Sequence, residues 1–342
     1  MDDRIFMDEG ILSAIGHTPL VRLSKVLKEA PFRLYAKLEG LNPGGSMKDR
    51  AAISIIRDAL LTGRIKKDTV IIESSSGNMG IGLAQACSYF GLRFICVVDP
   101  KTTAQNIALL RTYGAEIDLV REPDAVTKEY LKARLDRVRY LSSVIENCYW
   151  PDQYSNLNNP RGHYQTMDEI ARSLGEVDYL FCTTSTCGTM RGCAEYARQH
   201  GLKTKVIAVD AIGSVIFCGE RANRLIPGHG AAIRPALYQP NLALECIHVS
   251  DVDCIVGCRR LALEEAILAG GSSGAVFMAV EKYKDRIPPG STCVVIFADR
   301  GERYLDTIYS DEWVAKYFGE VSHLWQSGHH AAAARELVAE RS

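Results

Sequence analysis

Four short runs of this 342-residue chain combine residue types suited to chemistry. The first is Leu41-Asn42-Pro43-Gly44-Gly45-Ser46-Met47-Lys48-Asp49-Arg50, in which Lys48 follows a Pro-Gly-Gly turn and precedes a predicted helix. A lysine amine that is held and partly desolvated forms a Schiff base with an aldehyde cofactor. A solvated lysine at a helix N-terminus is the ordinary alternative, and the run alone does not separate the two. The second run, Glu73-Ser74-Ser75-Ser76-Gly77-Asn78-Met79-Gly80, places hydroxyls and backbone N–H groups at a strand-to-helix turn. Such a turn binds a carboxylate or a phosphate, or is simply a serine-rich helix cap. Its glycine lets a ligand come close to the backbone. The third, Thr183-Thr184-Ser185-Thr186-Cys187-Gly188-Thr189, again leaves a strand and opens a helix. It lacks the Gly-Lys-Ser/Thr of a P-loop and the glycine spacing of a dinucleotide fingerprint, so a monophosphate fits it better. The fourth, Ala269-Gly270-Gly271-Ser272-Ser273-Gly274, is weak alone and reads equally as a plain turn.

The elements that must hold these runs alternate. Strands are predicted over residues 70–73, 92–98, 116–120, 179–183, 206–209 and 292–298, with helices over 79–90, 103–113 and 189–200. Alternation of this kind makes parallel sheets with helices on both faces, an α/β class. Two such blocks part near residues 147–159, rich in Asn, Pro and aromatic side chains. A terminal helix is expected from about Gly319, and His329 and His330 in it are read as exposed rather than as ligands.

Composition narrows the function classes. With 47% hydrophobic and 24% charged residues the chain is expected to be a soluble globular protein, long enough for two domains. Lys plus Arg (40) nearly equals Asp plus Glu (41), which leaves no electrostatic footprint for nucleic acid or an anionic membrane. No apolar stretch reaches the roughly 20 residues of a membrane span, and Met1-Asp2-Asp3-Arg4 does not open a secretory signal. Eleven scattered cysteines in apolar runs suit reduced, buried thiols and a cytoplasmic location. Cys254 and Cys258 could share a helix face, but no second ligand pair follows, so no metal is expected.

Taken together, the four runs resemble the cysteine synthase / cystathionine β-synthase family, β-replacement enzymes of pyridoxal phosphate fold type II. The likeness extends from Ile15-Gly16-His17-Thr18-Pro19-Leu20 to Gly301-Glu302-Arg303-Tyr304-Leu305. Within the family it is greatest to synthases that join O-phosphoserine and glutamate into N-(2-amino-2-carboxyethyl)-L-glutamate, feeding 2,3-diaminopropionate into siderophores or peptide antibiotics. That finer likeness rests on residues 42–50, Val209-Asp210-Ala211-Ile212-Gly213-Ser214-Val215-Ile216-Phe217, Ala269-Gly270-Gly271-Ser272 and Asp299-Arg300-Gly301-Glu302-Arg303-Tyr304-Leu305-Asp306.

The resemblance implies two three-layer α/β domains with mostly parallel sheets (tryptophan synthase β-like), the smaller and mobile one spanning 46–150 and the larger 11–45 plus 151–315, followed by a tail over 316–342. It also implies a homodimer. Pyridoxal 5′-phosphate would be held by Lys48 as a Schiff base. Asn78 would meet the cofactor's ring hydroxyl, and Ser75, Ser76 and Gly77 with Gln153 would grip the substrate carboxylate. Ser185, Thr186, Cys187, Gly188 and Thr189 would hold the cofactor phosphate, and Ser272 the pyridine nitrogen. A serine there, unlike an aspartate, does not stabilise a pyridinium, which favours loss of a β-leaving group through an aminoacrylate over racemisation.

Two departures bear on the second substrate. Ser185 stands where thiol-using members usually carry glycine in Gly-Thr-Gly-Gly-Thr, and Tyr154 where they often carry phenylalanine. An amino-acid nucleophile would use both hydroxyls and sulfide would not; hydroxyls that merely satisfy nearby backbone are the alternative. Met79, where threonine is usual, has no functional reading. A phosphate leaving group calls for a cation: Arg224 is the first candidate, Arg161 and His163 weaker ones, and a surface role is open for each. The competing functions are a cysteine or cystathionine β-synthase using a thiol, and a non-catalytic relative binding a small anion or a partner.

Overall fold

The structure is a computed structural model and describes residues 10–217 and 219–326. Its elements, in chain order, are β1 (Leu20–Arg22), β2 (Arg33–Leu38), α1 (Lys48–Leu61), β3 (Val70–Ser74), α2 (Asn78–Phe90), β4 (Arg93–Val98), α3 (Ala104–Thr112), β5 (Glu116–Leu119), α4 (Tyr130–Val144) and β6 (Cys148–Tyr149). There follow α5 (Asn158–Gly162), α6 (Tyr164–Leu174), β7 (Tyr179–Thr183), α7 (Gly188–Gln199), β8 (Lys205–Ala211), β9 (Glu245–Val249), α8 (Asp251–Glu265), α9 (Gly271–Tyr283), β10 (Thr292–Phe297) and α10 (Asp311–Phe318). Beyond α10 lies a 3-10 turn at Ser322–Leu324. His329, His330 and the rest of the expected terminal helix lie outside the described residues.

The strands form two sheets. One runs β5-β4-β3-β6, all parallel; the other runs β1-β2-β10-β7-β8-β9, parallel except for the antiparallel β1–β2 pair. Strands covered on both faces need apolar residues at successive positions, and all residues of β3, β7 and β10 are buried. In the smaller sheet Ile71, Phe94, Cys96 and Val98 face α1 and α2, while Val70, Ile72, Ile95 and Val97 face Val138 and Leu141 of α4. In the larger sheet Phe181, Ile207, Val209 and Val295 face α8 and α9, and Leu180, Ala208, Val294 and Ile296 face α6 and α7. Each sheet is therefore the middle of three layers. Leu12 and Ile15, upstream of β1, pack with the α1–α2 cluster.

Two contacts fix the elements that carry the chemistry. α8 and α9 meet backbone to backbone: a Cβ on Gly274 would lie 2.2 Å from the Cys254 carbonyl oxygen, and one on Gly257 2.3 Å from that of Gly274. The start of α1 is tied to the larger sheet by buried ions. Arg50 donates from Nε and Nη2 to Glu39 (2.7 and 2.8 Å) and from Nη1 and Nη2 to Glu169 (2.9 and 2.8 Å), while Lys37 Nζ stands 2.6 Å from Glu169. Burial raises the Glu169 pKa, but the Arg50 hydrogen bond and charge outweigh it and hold the group at about 2. Removing one partner of such a pair strands a buried charge, at a cost of roughly 3–5 kcal/mol.

Candidate active site

Lys48 opens α1. The residues before it lie along the end of β10: Met47 N donates to Ala298 O at 2.8 Å, and Ser46 bridges Asp299. The Pro-Gly-Gly turn is pinned by Asp49, whose Oδ2 accepts from Gly44 N at 2.5 Å. A Cβ on Gly44 would sit 2.5 Å from Asp49 Oδ1, so only glycine fits that approach. Gly45 is left-handed at φ 83°. Although the Lys48 side chain is part-exposed at the cleft floor, the surrounding protein desolvates its amine. Burial pulls its pKa from 10.5 to about 8, against the opposing pull of Asp299 and Glu39. About a tenth of such an amine is unprotonated at pH 7, against less than about a thousandth of an ordinary lysine.

The cleft in front of Lys48 is lined by Ser74, Ser75, Ser76, Gly77, Asn78, Arg134, Gln153, Tyr154, Ser185, Thr186, Gly228 and Ser272, among others. It is built from the C-terminal ends of parallel strands, where α/β sheets bind ligands. β3 feeds the first loop into α2. Ser75 Oγ accepts from Gly80 N at 2.8 Å and so fixes the start of that helix, while nothing lies within 4 Å of a Cβ built on Gly77. Gln153 Nε2 donates to Ser74 O at 3.1 Å. Glu73, fully buried, braces both segments by accepting from Ser74 N (2.7 Å), Gln153 N (3.2 Å) and Trp150 Nε1 (3.3 Å).

β7 feeds the second loop into α7. Ser185 and Thr186 line the cleft, but Cys187, Gly188 and Thr189 do not. Cys187 packs in the core, burial pushing its thiol up to about 12. It also adopts φ 65°, which explains why glycine is easier at this position. Gly188 abuts Asn159, and Thr189 Oγ1 lies 3.2 Å from His163 Nε2. These three can serve an anion only through backbone N–H groups at the helix start. On the opposite wall Ser272 opens α9, with its Oγ 3.4 Å from a Cβ built on Gly228.

Among the described residues, Lys48 Nζ and the hydroxyls of Ser76, Tyr154, Ser185 and Ser272 have no protein hydrogen-bond partner, although all five side chains line this one cleft. Polar groups so placed are made for a ligand. The set suits a small aldehyde carrying a phosphate and a ring nitrogen.

The cations sort themselves by place. Arg224 lies on the outer mouth, where its Nη1 donates to His229 O at 2.9 Å. Arg161 lines a separate cavity beside Leu12 and Arg57 and donates to Asn158, so it does not reach the cleft. His163 is fully buried behind the second loop; burial first, then Lys48 and Arg50, hold its pKa well below 6.5, so it is neutral and supplies no charge. The cation that does face the cleft is Arg134 of α4, which sequence reasoning missed. Its Nε stands 3.1 Å from Asp99 Oδ2, off hydrogen-bonding alignment, and Nε and Nη1 have no hydrogen-bond partner.

Sequence reasoning named Asn78 but missed the residues that hold it. Asn78 donates to Asp299 Oδ2 at 2.7 Å and accepts from Arg303 Nη1; Tyr304 Oη donates to the same Asp299 oxygen at 2.5 Å, and Arg303 Nη2 donates to Gly44 O. Burial raises the Asp299 pKa. Asn78 is thus held from both ends by protein groups.

A family model described as pyridoxal-phosphate dependent enzyme matches residues 11–299. The chain belongs to that family. Among solved structures, a hydrogen sulfide-producing enzyme from Fusobacterium nucleatum is 35% identical, with 87% of this chain and 98% of that one covered and a TM-score of 0.81. An O-acetylserine-dependent cystathionine β-synthase from Helicobacter pylori is 32% identical, with 88% and 98% covered and a TM-score of 0.81. O-ureido-L-serine synthase is 29% identical, with 95% and 99% covered and a TM-score of 0.80. The enzyme is accordingly a pyridoxal-phosphate-dependent β-replacement enzyme of the cysteine synthase kind, fold type II. Among the described residues no helix is long and apolar enough to cross a membrane.

Proposed function

We propose that the enzyme joins O-phospho-L-serine and L-glutamate into N-(2-amino-2-carboxyethyl)-L-glutamate and phosphate, a supply of 2,3-diaminopropionate for a siderophore or peptide natural product. The observation that carries this reading is the trio Arg134, Tyr154 and Ser185, a guanidinium and two hydroxyls lining the cleft that Lys48 enters. Sulfide needs none of the three. A phosphate leaving group and a dicarboxylate amine use all of them.

In this reading pyridoxal 5′-phosphate supplies the electron sink that makes the donor's Cα proton acidic. Lys48 carries the cofactor, then takes that proton at Nζ and later returns it. Ser75, Ser76, Gly77 and Gln153 bind the donor carboxylate. The Cβ–O bond breaks with its electron pair leaving on phosphate, which Arg134 receives; Arg224 guards the approach from the outer mouth. The glutamate nitrogen then bonds to Cβ and gives up a proton. Ser185, Thr186, Cys187, Gly188 and Thr189 hold the cofactor phosphate, chiefly through N–H groups. Ser272 would meet the ring nitrogen and Asn78, which also donates to Asp299, would meet the ring hydroxyl. We further propose that the 46–150 unit closes over residues 11–45 plus 151–315 to exclude water, and that two copies form a homodimer.

A thiol-using synthase is the second reading, favoured by the likeness to the 32% identical cystathionine β-synthase. Mass spectrometry of products from O-phosphoserine and O-acetylserine, each with glutamate, other amino acids, sulfide and homocysteine, decides between them. Glutamate adduct formed fastest from O-phosphoserine supports the first reading, and exclusive thioether or cysteine formation removes it.

A further inference from the structure

Away from the cleft, three potential metal ligands from two strands meet on one face of the larger sheet. β8 and β9 are parallel neighbours in a register that sets Asp210 beside His248 and Ala208 beside Cys246. Alternation along β9 turns Cys246 and His248 to the same side. That is the side on which Ala208 packs, opposite Ile207, Val209 and Val249. The thiol, imidazole and carboxylate donor atoms all lie within 4.8 Å of one another. Asp210 is 0% exposed; its Oδ1 accepts from Ala211 N at 2.9 Å, but Oδ2 has no partner, and neither has His248 Nε2. A buried carboxylate oxygen and a buried imidazole nitrogen, both unpartnered and in one cluster, are a cost that a cation removes.

We propose that Asp210, Cys246 and His248 bind one divalent cation of the zinc class, with water as the fourth ligand. The donor set is the argument for zinc, since one soft sulfur, one imidazole and one carboxylate suit Zn²⁺ and do not suit Mg²⁺ or Ca²⁺. Donors around tetrahedral zinc stand roughly 3.3–3.8 Å apart, so side-chain rotation closes the present spread. β9 is an edge strand of its sheet, which provides an entry path. The pair Cys254 and Cys258, which helical spacing singled out, is a poorer candidate: Cys258 Sγ donates to Gly270 O at 3.2 Å and Cys254 Sγ to Ser250 O at 3.2 Å, inside the α8–α9 contact. The role follows from the chain path. Just after β8, Val215 N donates to Ala231 O and Ala231 N to Ser214 Oγ, both at 3.0 Å, so a metal linking β8 to β9 braces the wall that Gly228, Gly230 and Ala231 form at the outer mouth.

The test is titration of the purified holoenzyme with ZnCl₂ against a chromophoric chelator, together with thermal melting with and without zinc. We expect one zinc per chain and a zinc-dependent rise in Tm. Both should weaken at least ~10-fold in zinc affinity for His248→Ala and Cys246→Ser, and stay unchanged for Cys254→Ser. Cobalt substitution gives a readout that does not depend on the variants folding alike: the wild type shows a thiolate-to-cobalt charge-transfer band. Absence of stoichiometric binding, binding that survives His248→Ala and Cys246→Ser, or a cobalt spectrum without sulfur ligation overturns the proposal.

Discussion

Asn78 and Asp299 are joined by a 2.7 Å hydrogen bond that links the first residue of α2, on the smaller sheet, to the second residue beyond β10, on the larger. The same Asp299 raises the Lys48 pKa against burial. Replacing it by asparagine keeps the size and removes the charge. Asp299→Asn should therefore lower the Lys48 pKa below about 8. The apparent pKa for cofactor uptake by the apoenzyme, followed by the absorbance of the Schiff base, should shift to lower pH. An unchanged uptake profile would show that Asp299 does not govern the lysine.

Arg134 carries the prediction about the leaving group. A charge-assisted hydrogen bond to phosphate is worth roughly 1.5–3 kcal/mol, so Arg134→Gln should raise the KM for O-phosphoserine ~10- to 100-fold. The effect on O-acetylserine should be small. Arg224→Ala, farther out, should show the same preference more weakly. Equal effects on both donors would take the residue away from the leaving group.

Burial holds Glu73 and Asp49 up at about 7, from ordinary values of 4.5 and 3.8. Between those limits the folded chain binds more protons than the unfolded one. Their contribution to stability is complete below about 4 and is lost as pH rises through 7. Glu73→Gln should flatten the fall of Tm over that window relative to the wild type, measured by calorimetry from pH 5 to 8. Parallel curves would assign the dependence to other groups.

Gly274→Ala tests whether the α8–α9 contact sets Ser272. The added methyl meets the Cys254 carbonyl oxygen at 2.2 Å, so the helices must separate. Overpacking of this kind costs about 1–3 kcal/mol, a Tm loss of several degrees. Because Ser272 lies two residues away, cofactor absorbance and kcat should change as well; a destabilised variant with wild-type spectrum and kcat would separate packing from the site.

The buried strands announced themselves. The apolar runs 70–72 and 293–298, inside the strands predicted over 70–73 and 292–298, leave little choice of structure, and those strands lie within a residue of β3 and β10. β9 escaped because an edge strand reading Glu-Cys-Ile-His-Val has a polar half. β2 escaped for a similar reason, its Arg33 and Lys37 interrupting the apolar pattern. The glycine-rich and serine-rich turns could be located because loop chemistry is local. Arg134 could not, since α4 also carries Arg137 and Arg139 and nothing along the chain says which one points inward. Asp299 and Arg303 were out of reach for a different reason: their partner Asn78 is more than two hundred residues away, and only the meeting of the two sheets brings them together.

The unpartnered hydroxyls and amine of the cleft have a consequence outside catalysis. Ser76, Tyr154, Ser185, Ser272 and Lys48 are groups that no protein partner holds and that gain fixed partners only when a ligand arrives. A freshly folded chain without its cofactor is then the fragile form, the one from which proteases and aggregation draw. The amount of this enzyme that a cell can keep should follow its supply of vitamin-derived cofactor, even where the rate of synthesis does not change.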